Sequence, residues 1–134
     1  MATHASTFAP ARDTNLPRLA LQADGALCTA LGVGLLAGVA PIANATGLPL
    51  AVPLVLGVSL IPYGLDLFVL ARRRATRRTL LTIAALNIAW VIASALLLLT
   101  GVAALTTGGN WAVGIIALIV ADLATFQLYA ARKA

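Results

Sequence analysis

The sequence predicts an all-α integral membrane protein: a bundle of four transmembrane helices running up-down-up-down, with the N and C termini cytoplasmic. Three observations carry this reading. Hydrophobic residues make up 61% of the 134-residue chain and charged residues only 10%, where a soluble domain carries about 25% charge. The apolar residues gather into four long stretches, each close to the roughly 20 residues that cross a hydrocarbon core about 30 Å thick. Two connections between the stretches are uncharged, and the third reads Arg72-Arg73-Arg74-Ala75-Thr76-Arg77-Arg78. Short loops rich in arginine and lysine stay on the cytoplasmic side. Arg12 and Arg18 before the first stretch, and Arg132 and Lys133 after the last, put both ends on that same side.

The elements follow in chain order. Residues 1–20, rich in Ala, Thr and Pro near their start, read as a disordered cytoplasmic tail. Residues 21–134 form a single four-helix membrane domain. The first helix is expected at about 25–43, with Asp24 as its N-cap. Pro41, Asn44, Gly47 and Pro49 mark the first outer loop. The second helix is expected at about 50–71, with Pro53 in its first turn and a kink at Pro62, which cannot donate to the carbonyl of Val58. The third is expected at about 79–100. Thr106-Thr107-Gly108-Gly109 then forms the second outer loop, and Asn110 caps a fourth helix at about 111–131. Short connections make neighbouring helices antiparallel. Trp111 and Tyr129 suit the two aromatic belts.

Composition excludes several function classes. The net charge of +5 and pI of 10.8 come from membrane-edge residues without aromatic interleaving. They explain orientation and contact with anionic lipid headgroups, through Arg72, Arg73, Arg74, Arg77 and Arg78, rather than nucleic-acid binding. The one histidine, His4, lies in the tail, and all four acidic residues are Asp. No nucleophile–base pair, phosphate loop or metal-ligand cluster is visible, so the chain reads as non-enzymatic, with no catalytic residue, no metal and no cofactor. Cys28 is alone and reads as a small buried residue.

Two sets of residues remain. Ala26, Ala30, Gly34 and Gly38 form a small-residue ridge on the first helix, suited to close packing inside the bundle or against a second subunit. The polar residues within the spans, Asp66, Asn87 and Asp122, fall in the cytoplasmic half, and a carboxylate there faces the bundle or a wet cavity by default. Asp122, Thr125 and Tyr129 share one face of the fourth helix at i, i+3, i+7 spacing. Asn87 and Asp122, at comparable depth, suit a hydrogen bond, and Trp90 lies one turn from Asn87. Asp66 suits an ion pair with an arginine of the inner loop. These six form either helix glue or a ligand or proton site.

In length and four-span plan the chain is similar to the small multidrug-resistance transporters. Those depend on a membrane-embedded glutamate in the first helix, and this chain has no glutamate. Asp24 is read as too close to the inner interface to replace it. Three functions follow as expectations. The first is a non-enzymatic membrane protein acting through assembly, as a homo-oligomer or an accessory subunit of a larger membrane complex. The second is a small transporter with a cytoplasm-facing Asp/Asn site. The third is a lipid- or quinone-binding protein offering Trp90 and the Pro62 kink to an apolar ligand. The expected setting is a bacterial inner membrane.

Overall fold

The computed structural model describes residues 15–101 and 104–134. They are helical, with no strand among the described residues: α1 (Asn15–Ala37), α2 (Val39–Thr46), α3 (Ala51–Arg73), α4 (Arg77–Thr100) and α5 (Thr107–Lys133). α1, α3, α4 and α5 are each long and apolar enough to cross a membrane, which makes this a multi-pass arrangement.

The boundaries differ from expectation where packing or capping overrides local polarity. α1 starts at Asn15, so Asp24 does not cap it but lies about 13 Å along it at 1.5 Å per residue. Pro17 sits in the first turn, where its missing N–H does little harm, and the burial of Ala20 and Leu21 draws the chain into helix before the apolar run begins. Residues 15–20 are thus helical rather than tail, and residues 1–14 lie outside the described residues. The first span does not run unbroken to residue 43. Gly38 leaves helical geometry (φ −124°, ψ 38°), and α2 restarts with Pro41 in its opening turn. Gly47 ends α2 in the left-handed region (φ 80°), which glycine enters without a Cβ penalty.

α5 begins at Thr107, not Trp111. Thr106 is its N-cap, accepting from the Gly109 N–H at 3.0 Å, and the segment expected as a loop is the first turn. Asn110 lies inside that turn, donating its N–H to the Thr106 carbonyl at 2.9 Å. Thr76 caps α4 the same way, accepting from the Thr79 N–H at 3.2 Å. α3 runs continuously through Pro62.

Packing divides the helices into two pairs, α1 with α3 and α4 with α5, joined mainly where α1 meets α5. The α1–α3 seam is built on four buried glycines. A Cβ on Gly25 would stand 2.9 Å from the Gly64 carbonyl oxygen, and one on Gly32 would stand 3.1 Å from that of Gly57. Both pairs are spaced seven residues apart, two helical turns, so the backbones touch at two levels. The Thr29 hydroxyl is pressed against Gly64 and is sealed there without a hydrogen-bond partner. The expected ridge of Ala26, Ala30, Gly34 and Gly38 is not this seam. Ala26, Ala30 and Gly34 are exposed, and nothing lies within 4 Å of a Cβ built on Gly34. Residues 26 and 30 lie two positions from Cys28 and Gly32, about 200° around the helix, and so on its far side.

The chain's connections meet in two groups. Pro17, Arg18, residues 71–73 and 75–77, and Ala134 line one pocket. Away from it, the Thr106 N–H donates to the Thr46 carbonyl at 3.0 Å and the Thr106 hydroxyl donates to the carbonyl of Ala45, tying the end of α2 to the start of α5.

Candidate functional site

One polar cluster is buried in the bundle, and it joins three helices. Asp24 of α1 is 1% exposed, Asn87 of α4 is 7% exposed and Gln127 of α5 is fully buried. The Asn87 Nδ2 donates to Asp24 Oδ2 at 2.7 Å and to Gln127 Oε1 at 2.9 Å. Gln127 Nε2 donates to the same Asp24 oxygen at 2.7 Å. The Cys28 thiol, one turn along α1, donates to Asp24 Oδ1 at 3.4 Å. Both carboxylate oxygens are therefore satisfied, and no basic side chain pairs with Asp24 among the described residues.

Local sequence explains the meeting. The glycines of α1 face α3, which turns Asp24 and Cys28 toward the other helix pair. On α4, Asn87 follows Leu80, Ile83 and Ala84 along the buried face, and on α5 Gln127 follows Val120 and Ala124. Each polar group enters on a largely apolar stripe, so the two amides and the acid find one another, with the Cys28 thiol beside them. Interhelical hydrogen bonds of this kind contribute about 0.6 kcal/mol each in membrane proteins, reaching about 1.7. Their geometric demand also fixes the register of α1, α4 and α5.

Against this cluster lies a cavity of about 460 Å³. Cys28, Ser59, Tyr63, Asn87 and Trp90 contribute to its wall, and the rest of the lining is Leu, Ile and Val. The volume falls within the roughly 300–1,000 Å³ of small-molecule sites, and an apolar wall with few convergent polar groups is their usual make-up.

Of the six residues expected to form a site, only Asn87 and Trp90 are brought together, in the wall of this cavity. Asn87 is buried and bonds Asp24 and Gln127 rather than Asp122. Asp66, Asp122, Thr125 and Tyr129 are all exposed on the outer surface of α3 and α5. Asp66 makes no ion pair among the described residues, and the arginines at 72–74, 77 and 78 are themselves exposed. Thr125 donates its hydroxyl back to the Ala121 carbonyl at 2.9 Å, and the Lys133 ammonium stands 5.6 Å from the centre of the Tyr129 ring. Trp90, 39% exposed, stands at the edge of the cavity.

Gln127 was not among the expected residues, and Asp24 was expected only as a cap. A signal for Gln127 existed. Asp122 and Gln127 are five residues apart, about 140° around the helix, so only one can face inward. Val120, Ala124 and Ala131 accompany Gln127 at i−7, i−3 and i+4, giving it the small-residue face. No group of three His, Cys, Asp or Glu side chains able to hold a metal occurs among the described residues. The chain matches no known protein family, no curated protein and no solved structure.

Proposed function

We propose that this chain is a non-enzymatic membrane protein of up-down-up-down topology, with both termini and the arginine-rich loop cytoplasmic, that acts by assembling with further protein chains. The observation that carries the proposal is Asp122. It lies about 16 Å from the end of α5, near the middle of a hydrocarbon core roughly 30 Å thick. It is exposed, with no partner among the described residues. A carboxylate facing lipid at that depth costs about 3 kcal/mol on insertion scales, and such residues almost always face protein or a water-filled cavity. A second chain over α5 removes the cost. Around Asp122, Ile115, Leu118, Thr125 and Tyr129 are exposed at the alternating three- and four-residue spacing of a coiled-coil seam. The transporter reading needs Asp66, Asn87 and Asp122 in one site, and within one chain they point to different places.

Native mass spectrometry after gentle extraction from the source membrane tests the proposal. A homo-oligomer, or a partner chain at fixed ratio, supports assembly, and Asp122→Leu then shifts the protein toward monomer while its helicity is kept. A monomer carrying only lipid, with Asp122→Leu indistinguishable from it, overturns the proposal.

A further inference from the structure

The cavity between the two helix pairs presents unused hydrogen-bonding groups that the polar cluster leaves over. Both hydrogens of the Asn87 amide are spent on Asp24 and Gln127, while its Oδ1 accepts nothing among the described residues. Among the described residues only the Thr29 hydroxyl is a sealed side-chain polar atom without a partner. The Asn87 Oδ1 is therefore not sealed, and the space Asn87 lines is this cavity. Tyr63, half-buried, lines the same space, and its hydroxyl has no hydrogen-bond partner among the described residues. A carbonyl oxygen asks for a donor, and a phenol can both donate and accept. One O–H group set between them satisfies both.

The surroundings narrow the ligand further. Among the described residues no basic side chain lines the cavity, so nothing there offers a counter-charge to an anionic head. Leu, Ile and Val walls favour an apolar body, and the Trp90 and Tyr63 rings favour an aromatic head through offset or edge-to-face contact. We propose that the cleft binds a neutral, lipid-soluble aromatic alcohol of the phenol or quinol class. Its hydroxyl donates to Asn87 Oδ1 and accepts from Tyr63, its ring lies against Trp90, and its tail leaves toward the bilayer. The site is independent of whether the chain assembles.

The test uses the full chain in phosphatidylcholine vesicles. Trp111→Phe leaves Trp90 as the sole tryptophan, and its emission reports occupancy. The probes are para-hexylphenol and its methyl ether, which differ only in the donor. The phenol is expected to saturate the signal, with the ether weaker by about two- to tenfold, the value of one hydrogen bond. Tyr63→Phe keeps the ring and its packing, removes the donor to the ligand oxygen, and is expected to weaken the phenol and the ether alike by a similar factor. Equal midpoints for the two compounds, a signal that rises without saturating, or a Tyr63→Phe variant that binds the phenol as well as the wild type overturns the proposal.

Discussion

Replacing Gln127 by Leu isolates the energetic role of the buried cluster. The two side chains are close in volume, and Gln127 is fully buried, so the change leaves little cavity and exposes nothing new. Two hydrogen bonds disappear, the one to Asp24 Oδ2 at 2.7 Å and the one from Asn87 Nδ2 at 2.9 Å. Asp24 keeps the donors of Asn87 and Cys28, whereas one N–H of the buried Asn87 amide loses its acceptor. The loss is thus the worth of the bonds, about 0.6–1.7 kcal/mol each, plus about 1–3 kcal/mol for the unpaired Asn87 N–H, or about 2–6 kcal/mol together. Reversible unfolding by dodecyl sulfate in mixed micelles, followed by helicity, measures it. Combining Gln127→Leu with Asp24→Leu closes a double-mutant cycle, and the pair is expected to couple by about 0.6–1.7 kcal/mol. A Gln127→Leu variant within about 0.5 kcal/mol of wild type, the range of inert substitutions, together with zero coupling, would refute the claim that this cluster holds α1 and α5 together.

Two further outcomes follow from the packing. Gly64→Ala drives a methyl onto the Thr29 hydroxyl and to 2.8 Å from the Gly25 carbonyl oxygen, so the α1–α3 seam must part, at about 1–3 kcal/mol in the same assay; Gly34→Ala, with nothing within 4 Å, is expected to leave stability unchanged or raised by up to about 1 kcal/mol. If α5 meets α5 across a two-fold axis, Leu118→Cys in a Cys28→Ser background cross-links under mild oxidation in the membrane, and Val33→Cys on α1 does not; the reverse pattern moves the interface to the small-residue ridge.

Sequence reasoning recovers what depends on hydropathy alone. Each of the four long apolar helices overlaps an expected span, α1 only over residues 25–37, because a stretch of about 20 apolar residues leaves no alternative in a membrane. It fails where two faces of one helix offer the same signal. α1 carries small residues both at 26, 30 and 34 and at 25, 28 and 32, and spacing alone does not say which set meets a neighbour. The matching seven-residue interval between Gly57 and Gly64 on α3 separates them, and it is visible only when two helices are read together. α5 poses the same choice between Asp122 and Gln127. Placing the carboxylate inside follows the general cost of charge in lipid, but the inner face of α5 must also be narrow, and Gln127 has the small neighbours. Asp24 was set at the helix end by the polar residues around it, whereas the burial of Ala20 and Leu21 carries α1 back to Asn15 and puts Asp24 in the bundle.

The unequal treatment of the carboxylates bears on where a partner chain would bind under the assembly proposal. Asp24 is fully served inside the chain, so it makes no demand on a neighbour. Asp66 and Asp122 are exposed on α3 and α5, which belong to different helix pairs. A two-fold interface covers one patch on each chain, so a simple dimer can shelter only one of these two faces. Depth decides between them. Asp66 lies about 10 Å from the end of α3, where Arg72 and Arg73 form the last turn, within reach of headgroups and thinned bilayer. Asp122 lies about 16 Å in and has no such relief. The exposed ridge of α1 is apolar throughout and sits in lipid at no cost, because acyl chains solvate Ala and Gly as well as a helix does. The need for cover is therefore greatest at α5, where the exposed stripe from Ile115 to Tyr129 is centred on the carboxylate that lipid cannot serve.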